Sequence, residues 1–387
     1  MRLAIVTTHP IQYQVPWFRA LAARREIELT VGFAWLPDAE SQGVGFGVPF
    51  HWDVPLTDGY RWERLPLANR SPRLGPFFGL RLREVASWLR AGRFEALLVT
   101  GWNSFCLVQA AREAKRLGLR VMVRGDSSDV APRAAWKKLL HRRFLSMYDA
   151  FLTVGSQNEA FYARNGVPAS RRFRVPHVVD NQRLAEEAKT HEVNRVTIRG
   201  RWGIEADARV ALFAGKMIRE KNLEELLRAF ALAEREERTL RLLLVGDGPL
   251  RSEIAARAES LEHRPALVGF LNQSRIAEAY AAADFLVLPS RSETWGLVVN
   301  EAMACGLPAI VSDRVGCAAD LVREGETGAV YASGDVAGLA ARLAEFARDP
   351  GWTRAMGVRA QALVFADYSI ERAVEGTLAA LEAAAAA

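Results

Sequence analysis

Apolar and polar positions follow two rhythms along this chain. Short apolar runs recur at 3–7, 27–33, 96–100, 120–123 and 151–154. Between several of them lie longer stretches whose apolar residues return every three or four positions, the period of a helix packed on one face. Short strands apolar on both faces, alternating with amphipathic helices, predict a parallel sheet covered on both sides, an α/β fold. From 37 to 76 the rhythm breaks into glycine, proline and aromatic residues, as in Gly43-Val-Gly45-Phe-Gly47, and this reads as loops and lids over one end of that sheet. The chain turns polar after Asp180 as far as Trp202, and the rhythm then restarts at 210–214, 242–245, 285–288 and 309–311. Three parts are expected: a first α/β domain over 1–180, a second over 181–370, and an alanine-rich terminal helix over 371–387 that packs back on either domain, the first being the candidate.

Composition agrees with two globular cores, since 387 residues at 50% hydrophobic and 25% charged exceed the usual size of one. There is no run of about 18 apolar residues, and the first residues lead directly into a strand, so a cytoplasmic protein is expected. Cys106, Cys305 and Cys317 are too few and too scattered for a disulfide framework or a zinc site, and are expected as free core thiols. The net charge of +6 is unevenly shared: residues 1–180 hold 26 basic against 15 acidic side chains, a surplus of 11, whereas the remainder holds 25 against 30. Part of that surplus lies in 132–148, where helical spacing groups Lys137, Lys138, His141 and Arg142, with Trp136, Leu139, Leu140 and Phe144 on the other flanks. Such a helix suits an anionic membrane surface and equally an ordinary solvated face. The basic residues are not interleaved with stacking aromatics, which argues against nucleic acid.

Candidate chemistry concentrates near residue 300. Glu293 and Glu301 flank a short apolar run that ends at Gly306 and Pro308, a helix stop. The spacing predicts a helix over 296–305, capped by Ser292 or Thr294, with Glu301 among Leu297, Val298, Val299, Ala302 and Met303. A carboxylate there must find donors, because a stranded one costs several kcal/mol. A core arginine would satisfy Glu301 and solvent would satisfy Glu293; so would one extended ligand reaching both. Two glycine corners also follow apolar runs, Gly215-Lys216 with Lys221 five residues on, and Gly246-Asp247-Gly248-Pro249. In open α/β sheets such corners at strand carboxyl ends are where phosphates collect.

Taken together, Gly215-Lys216, Lys221, Val245-Gly-Asp-Gly-Pro249, Glu293 and Glu301 within 289–308, and Gly325-Glu-Thr-Gly328 resemble the second domain of the family 4 retaining glycosyltransferases of GT-B architecture. The resemblance implies two Rossmann-like parallel-sheet domains facing across a cleft. It also implies a nucleotide-diphosphate sugar as co-substrate with no resident cofactor. Lys216, where the family usually has Arg, and Lys221 would hold the diphosphate, with Glu293 on the transferred sugar. Glu301 would take the ribose hydroxyls, and Gly296 and Leu297, with Thr294 and Trp295 beside them, would bind phosphate at the helix start. Gly215, Gly246 and Gly248 would let backbone approach the donor, and Val268 and Gly269 would flank the base. No Asp-x-Asp occurs, so no metal site is expected.

The first domain departs from the family in two places. Its first loop reads Thr7-Thr-His9-Pro10-Ile-Gln12-Tyr13 in place of a glycine pair, and Arg124-Gly-Asp126 stands where a histidine is common. Arg124, Asp126 or His9 would then serve beside the reacting sugar, with His9, Gln12, Trp102 and Asn103 lining the acceptor. The implied function is metal-independent, retaining transfer of a sugar to a glycan or lipid-linked acceptor in polysaccharide or envelope biosynthesis, at most peripheral on the inner face of the membrane. The alternatives are a sugar-nucleotide epimerase or disaccharide phosphorylase of the same architecture, and a catalytically silent carbohydrate-binding subunit. If the basic stretch docks on lipid, the protein should bind anionic vesicles in co-sedimentation at low salt and release them as salt rises. Neutralising Lys137, Lys138, Arg142 and Arg143 should abolish that binding.

Overall fold

The computed structural model describes residues 1–128 and 143–386, and the side chains among them up to 384. Most of the basic stretch, including Trp136, Lys137, Lys138, His141 and Arg142, lies outside the described residues. Two compact units emerge. The first comprises 1–41, 55–179 and 369–387, and the second 42–54 and 180–368.

The first unit is built on a parallel sheet ordered β3-β2-β1-β4-β5-β6-β7. Its strands are β1 (Arg2–Thr7), β2 (Glu28–Phe33), β3 (Arg61–Arg64), β4 (Ala96–Val99), β5 (Arg120–Gly125), β6 (Ala150–Thr153) and β7 (Arg172–Arg174). Successive side chains leave a strand on opposite faces. Thus Ala4, Val6, Leu97, Val99, Val121 and Val123 join one buried layer. Leu3, Ile5, Leu98 and Met122 join the other. The last helix, Ile370–Ala386, packs in this second layer beside the helix Val15–Ala22 and β7. Gly376 permits the approach, since a Cβ there would stand 1.9 Å from the Arg174 carbonyl oxygen.

The second unit carries a parallel sheet ordered β10-β9-β8-β11-β12-β13. Its strands are β8 (Arg209–Ala214), β9 (Leu240–Val245), β10 (Ala266–Gly269), β11 (Phe285–Leu288), β12 (Ala309–Ser312) and β13 (Gly328–Tyr331). In both sheets the chain lays strands to one side of its first strand and then crosses to the other. The reversals fall between β1 and β4 and between β8 and β11, and such switch points are where α/β sheets bind ligands.

Three expectations change. β3, β7 and β13 were not expected as strands, and each is a sheet edge; β3 and β7 have the sequences Arg-Trp-Glu-Arg and Arg-Phe-Arg, whose half-exposed faces need no apolar run. The segment 37–76 is not all loop over the first sheet, because it contains β3 and because 42–54 packs in the second unit through Phe46 and Phe50 against Phe270. Cys106 and Cys317 are buried free thiols, but Cys305 is only half-buried, at the end of a helix.

Beneath the second sheet Asp284 organises the amino ends of β8 and β11. Its carboxylate accepts from Arg195 at 2.6 Å, from Arg199 at 2.9 Å and from the Val210 backbone N–H at 2.7 Å. Arg199 is 2% exposed and spends its other donors on the carbonyls of Ala282, Ala206 and Ala208. Removing Asp284 strands a buried guanidinium, whereas the Arg2–Glu28 pair has side chains 40% and 58% exposed. Asp284→Ala should therefore cost about 3 kcal/mol in chemical denaturation, whereas Glu28→Ala should leave the unfolding midpoint almost unmoved.

Candidate active site

The turn after β8 is tied to the neighbouring turns. Gly215 N–H donates to Val245 O at 3.0 Å, Met217 N–H to Asp247 O at 2.8 Å, and Gly246 N–H to Gly269 O at 2.8 Å. The carboxyl ends of β8, β9 and β10 thus form one hydrogen-bonded rim. Gly246 has φ +127°, and a Cβ on it would lie 1.9 Å from the Gly215 carbonyl oxygen, so only glycine closes the rim. Asp247 accepts from its neighbour's N–H, at Gly248, and from Arg251, at 2.8 and 3.0 Å, which turns its carboxylate to the protein. Val268 is half-buried and Gly269 buried at the end of β10.

On the other side of the switch point, the loop after β11 is sewn down at both ends. Arg291 N–H donates to Glu220 O at 2.8 Å, Glu293 N–H to Arg314 O at 3.1 Å, and Gly316 N–H to Glu293 O at 3.0 Å. The helix that follows runs Leu297–Ala304, one residue shorter at each end than expected. Neither Ser292 nor Thr294 caps it; Gly296 stands at the cap with φ +99°, a conformation closed to most side chains, and offers no side-chain cap. The stop is as expected: Gly306, at φ +79°, donates to Met303 O and Leu307 donates to Ala302 O, the paired closure of a helix C-terminus.

These two sides bring Lys221 and Glu293 into a direct ion pair, with side chains 17% and 19% exposed. Lys216 stands nearby, half-buried, and both its burial and the charge of Lys221 lower its pKa. Its ammonium donates to the Val44 carbonyl at 3.2 Å and lies 4.6 Å from the centre of the Phe46 ring. Among the described residues Glu301 forms no ion pair with an arginine. The Tyr280 hydroxyl donates to its Oε2 at 2.6 Å. Burial raises the Glu301 carboxyl above its ordinary value, opposed by Tyr280 and by the charge of Arg183. Tyr280 is 1% exposed and lies in the helix Ile276–Ala282, so its role was hidden in what reads as a core position.

Trp295 is buried. Its indole N–H donates to Asn300 Oδ1 at 2.9 Å and its ring packs 5.9 Å from Tyr368, so it staples the loop to the interior. Thr294 is exposed, Leu297 half-exposed and Gly248 buried. A 640 Å³ cavity in this unit, lined among others by Lys189, Arg209, Asp284 and Leu307, opens at the amino ends of the strands. Phosphate-binding turns sit at the other end.

In the first unit, the turns after β1, β4 and β5 again surround a switch point. His9 is paired with the Thr8 hydroxyl at 2.9 Å, and burial lowers its pKa to about 4, so the imidazole is neutral at pH 7. Gln12 and Asp126 are half-exposed and Asn103 is exposed. Two candidates turn inward. Arg124 is 5% exposed, donates to the Pro176 carbonyl at 2.8 Å and lies 4.8 Å from the Trp17 ring centre, so its guanidinium braces the sheet. Trp102 packs among Tyr148, Phe161 and Tyr162, with centroids 6.0 to 6.4 Å away, and belongs to an aromatic cluster rather than an open wall. His177 packs edge-on against Tyr13 at 6.2 Å, and burial holds its pKa well below the ordinary value.

Comparison with known proteins places this geometry. The description "Glycosyl transferases group 1" matches residues 194–362, and "Glycosyl transferase 4-like domain" matches 12–178. The N-acetyl-alpha-D-glucosaminyl L-malate synthase of Bacillus anthracis is 32% identical over 173 residues, 45% of each chain. The alpha-D-kanosaminyltransferase of Streptomyces kanamyceticus is 29% identical over 209 residues, 54% of this chain and 53% of the other. The matched stretch thus spans about half the length of these curated relatives. Among solved structures, sucrose-phosphate synthase from Thermosynechococcus elongatus aligns over 100% of both chains with TM-score 0.71 at 22% identity. HepE from Anabaena, in complex with UDP, aligns over 99% of this chain and 100% of the other, with TM-score 0.74 at 17% identity. Those identities speak for the fold alone. With one family description on each sheet and the GT-B fold over the whole length, the chain belongs to the group 1, family 4 glycosyltransferases.

Proposed function

We propose that this protein is a retaining glycosyltransferase that moves a sugar from a nucleoside diphosphate to a glycan or lipid-linked acceptor. The observation that carries the reading is the meeting of Lys221 and Glu293 across the switch point of the second sheet, with Lys216 on the same turn. An ion pair that keeps some contact with solvent exchanges partners at less cost than a fully buried one. A diphosphate entering there takes Lys221 as its counterion, and the released Glu293 carboxylate accepts from hydroxyls of the sugar. The N-terminus of the helix Leu297–Ala304 has uncapped N–H groups that suit phosphate oxygens. Glu301, already accepting from Tyr280, has lone pairs left for the ribose hydroxyls.

As the sugar–oxygen bond breaks, negative charge grows on the leaving phosphate, and Lys216 and Lys221 stabilise it where it develops. A leaving-group oxygen takes the proton of the acceptor hydroxyl attacking from the same face, so configuration is retained. On the acceptor side the residues left half-exposed or exposed are His9, Gln12, Asp126 and Asn103; the neutral His9 accepts hydrogen bonds from hydroxyls rather than repelling cationic groups. HepE, similar in fold, was solved with UDP-glucose, which puts UDP first among the nucleotides to try.

A thermal-shift panel of UDP, TDP, GDP, ADP and CDP tests the donor assignment. One of the five should raise Tm with the logarithm of its concentration, and no response to any of them overturns the reading. Lys221→Ala should cut turnover of the corresponding sugar nucleotide about 100-fold, the cost of one charge-assisted contact made in the transition state. A carbohydrate-binding subunit would show no turnover to lose.

Glu301 gives a second test with a sign. Burial raises its folded-state pKa above the ordinary 4.5, so the folded protein holds that proton more tightly than the unfolded chain. Its contribution to stability is therefore greatest below the ordinary value and declines as pH rises through the raised one. Glu301→Gln should flatten that decline in Tm measured against pH, and should weaken nucleotide affinity about tenfold through loss of the charged acceptor. Unchanged affinity would remove Glu301 from the site.

A further inference from the structure

The turn that carries Lys216 is touched by a segment some 170 residues earlier in the chain. Residues 42–54 are anchored on the second unit at one end. Phe50 lies 4.4 Å and Phe46 5.1 Å from Phe270, centroid to centroid. The His51 carbonyl accepts from Asn272 at 2.6 Å, and Asp53 accepts from the Ser274 N–H at 3.1 Å. The other end is a glycine-rich tip in which Gly45 and Gly47 take φ +86° and +75°. A Cβ on Gly45 would stand 3.1 Å from Lys216 Nζ, and one on Gly47 would stand 3.5 Å from the Gly248 Cα, so the tip lies directly on the turns after β8 and β9.

A lysine has a long stem and a rotationally symmetric head, with no fork to orient it. Left alone, such a side chain gives up considerable rotamer freedom when it is fixed on a ligand. Here two groups of the tip fix it beforehand. The Val44 carbonyl takes one ammonium N–H at 3.2 Å and the Phe46 ring faces the charge at 4.6 Å. An ammonium has three donors, so this arrangement leaves N–H groups for phosphate oxygens. The ring also shields the head from water without competing for a hydrogen bond, which strengthens its attraction for an anion.

We propose that Phe46 is a positioning residue for Lys216, its ring holding the ammonium where a nucleoside diphosphate binds. The inference rests on the reading of Lys216 as a diphosphate ligand. Phe46 contributes through the face of its π system, so leucine of similar volume does not replace it and tyrosine does.

The test uses isothermal titration of the full chain with whichever diphosphate responds in the panel, and competition by its bare nucleoside. Lys216→Ala should weaken the diphosphate about 10- to 100-fold. Phe46→Leu should weaken it about five- to tenfold, Phe46→Tyr should remain within about twofold of the wild type, and neither should change nucleoside affinity. In the Lys216→Ala background, Phe46→Leu should add nothing. Three results overturn the proposal while leaving the donor site standing: Phe46→Leu binding the diphosphate like the wild type, equal losses for diphosphate and nucleoside, or additive losses in the double variant. Wild-type affinity in Lys216→Ala instead removes Lys216 from the site, and the proposal with it.

Discussion

The ion pair between Lys221 and Glu293 is the contact around which the second unit's site is arranged. It joins the turn after β8 to the loop after β11, the two sides of the place where the strand order reverses. Neither partner is deeply buried, which separates it from the Asp284–Arg199 pair beneath the same sheet, where the guanidinium is 2% exposed. A deeply buried pair resists rearrangement because each ion alone carries the full desolvation cost. The Lys221–Glu293 pair, its side chains 17% and 19% exposed, is less constrained by that cost. The unit therefore has one charge cluster suited to holding strands together and another suited to changing partners.

Keeping Lys221 and Glu293 opposite each other requires rigid backbone on both sides, and the hydrogen bonds supply it. Gly246 closes the rim of β8, β9 and β10, while the Glu293 N–H and carbonyl are both taken by 314–316. Trp295, bound to Asn300 and packed near Tyr368, then fixes the entry to the helix whose first N–H groups are uncapped. An uncapped helix start is a small debit in stability. Its backbone donors are of the kind that bind phosphate at helix starts.

Much of this was legible in the chain because charge and glycine are conspicuous against apolar strands. The central strands of both sheets were visible as short apolar runs, and the acidic pair stood out because Glu301 sits in a helix that is otherwise buried on one face. What stayed hidden has a common physical cause: it depends on partners distant in sequence. The edge strands β3 and β7 are polar because only one neighbour and one face need satisfying. Tyr280 looks like any core aromatic until Glu301 is placed beside it. Residues 42–54 look like loops of the first sheet, and only the packing of Phe46 and Phe50 on Phe270 assigns them to the second unit.

The first unit shows the same division of labour from the other direction. Arg124 lies near the carboxyl end of β5, a place where sequence alone suggests chemistry. Its guanidinium lies over Trp17 and bonds the Pro176 carbonyl, so the position serves the path of the chain near 176. His177, one residue on, is held neutral by burial and by the charge of Arg124. A buried cation beside a neutral imidazole keeps that imidazole from taking a proton at any ordinary pH, and so removes it as a general acid. His9 is kept neutral by burial alone and remains half-exposed. Of the two histidines near the Thr7–Tyr13 turn, His9 is thus the one whose protonation a nearby anionic ligand can change, since an added negative charge would raise a pKa that nothing but desolvation now depresses.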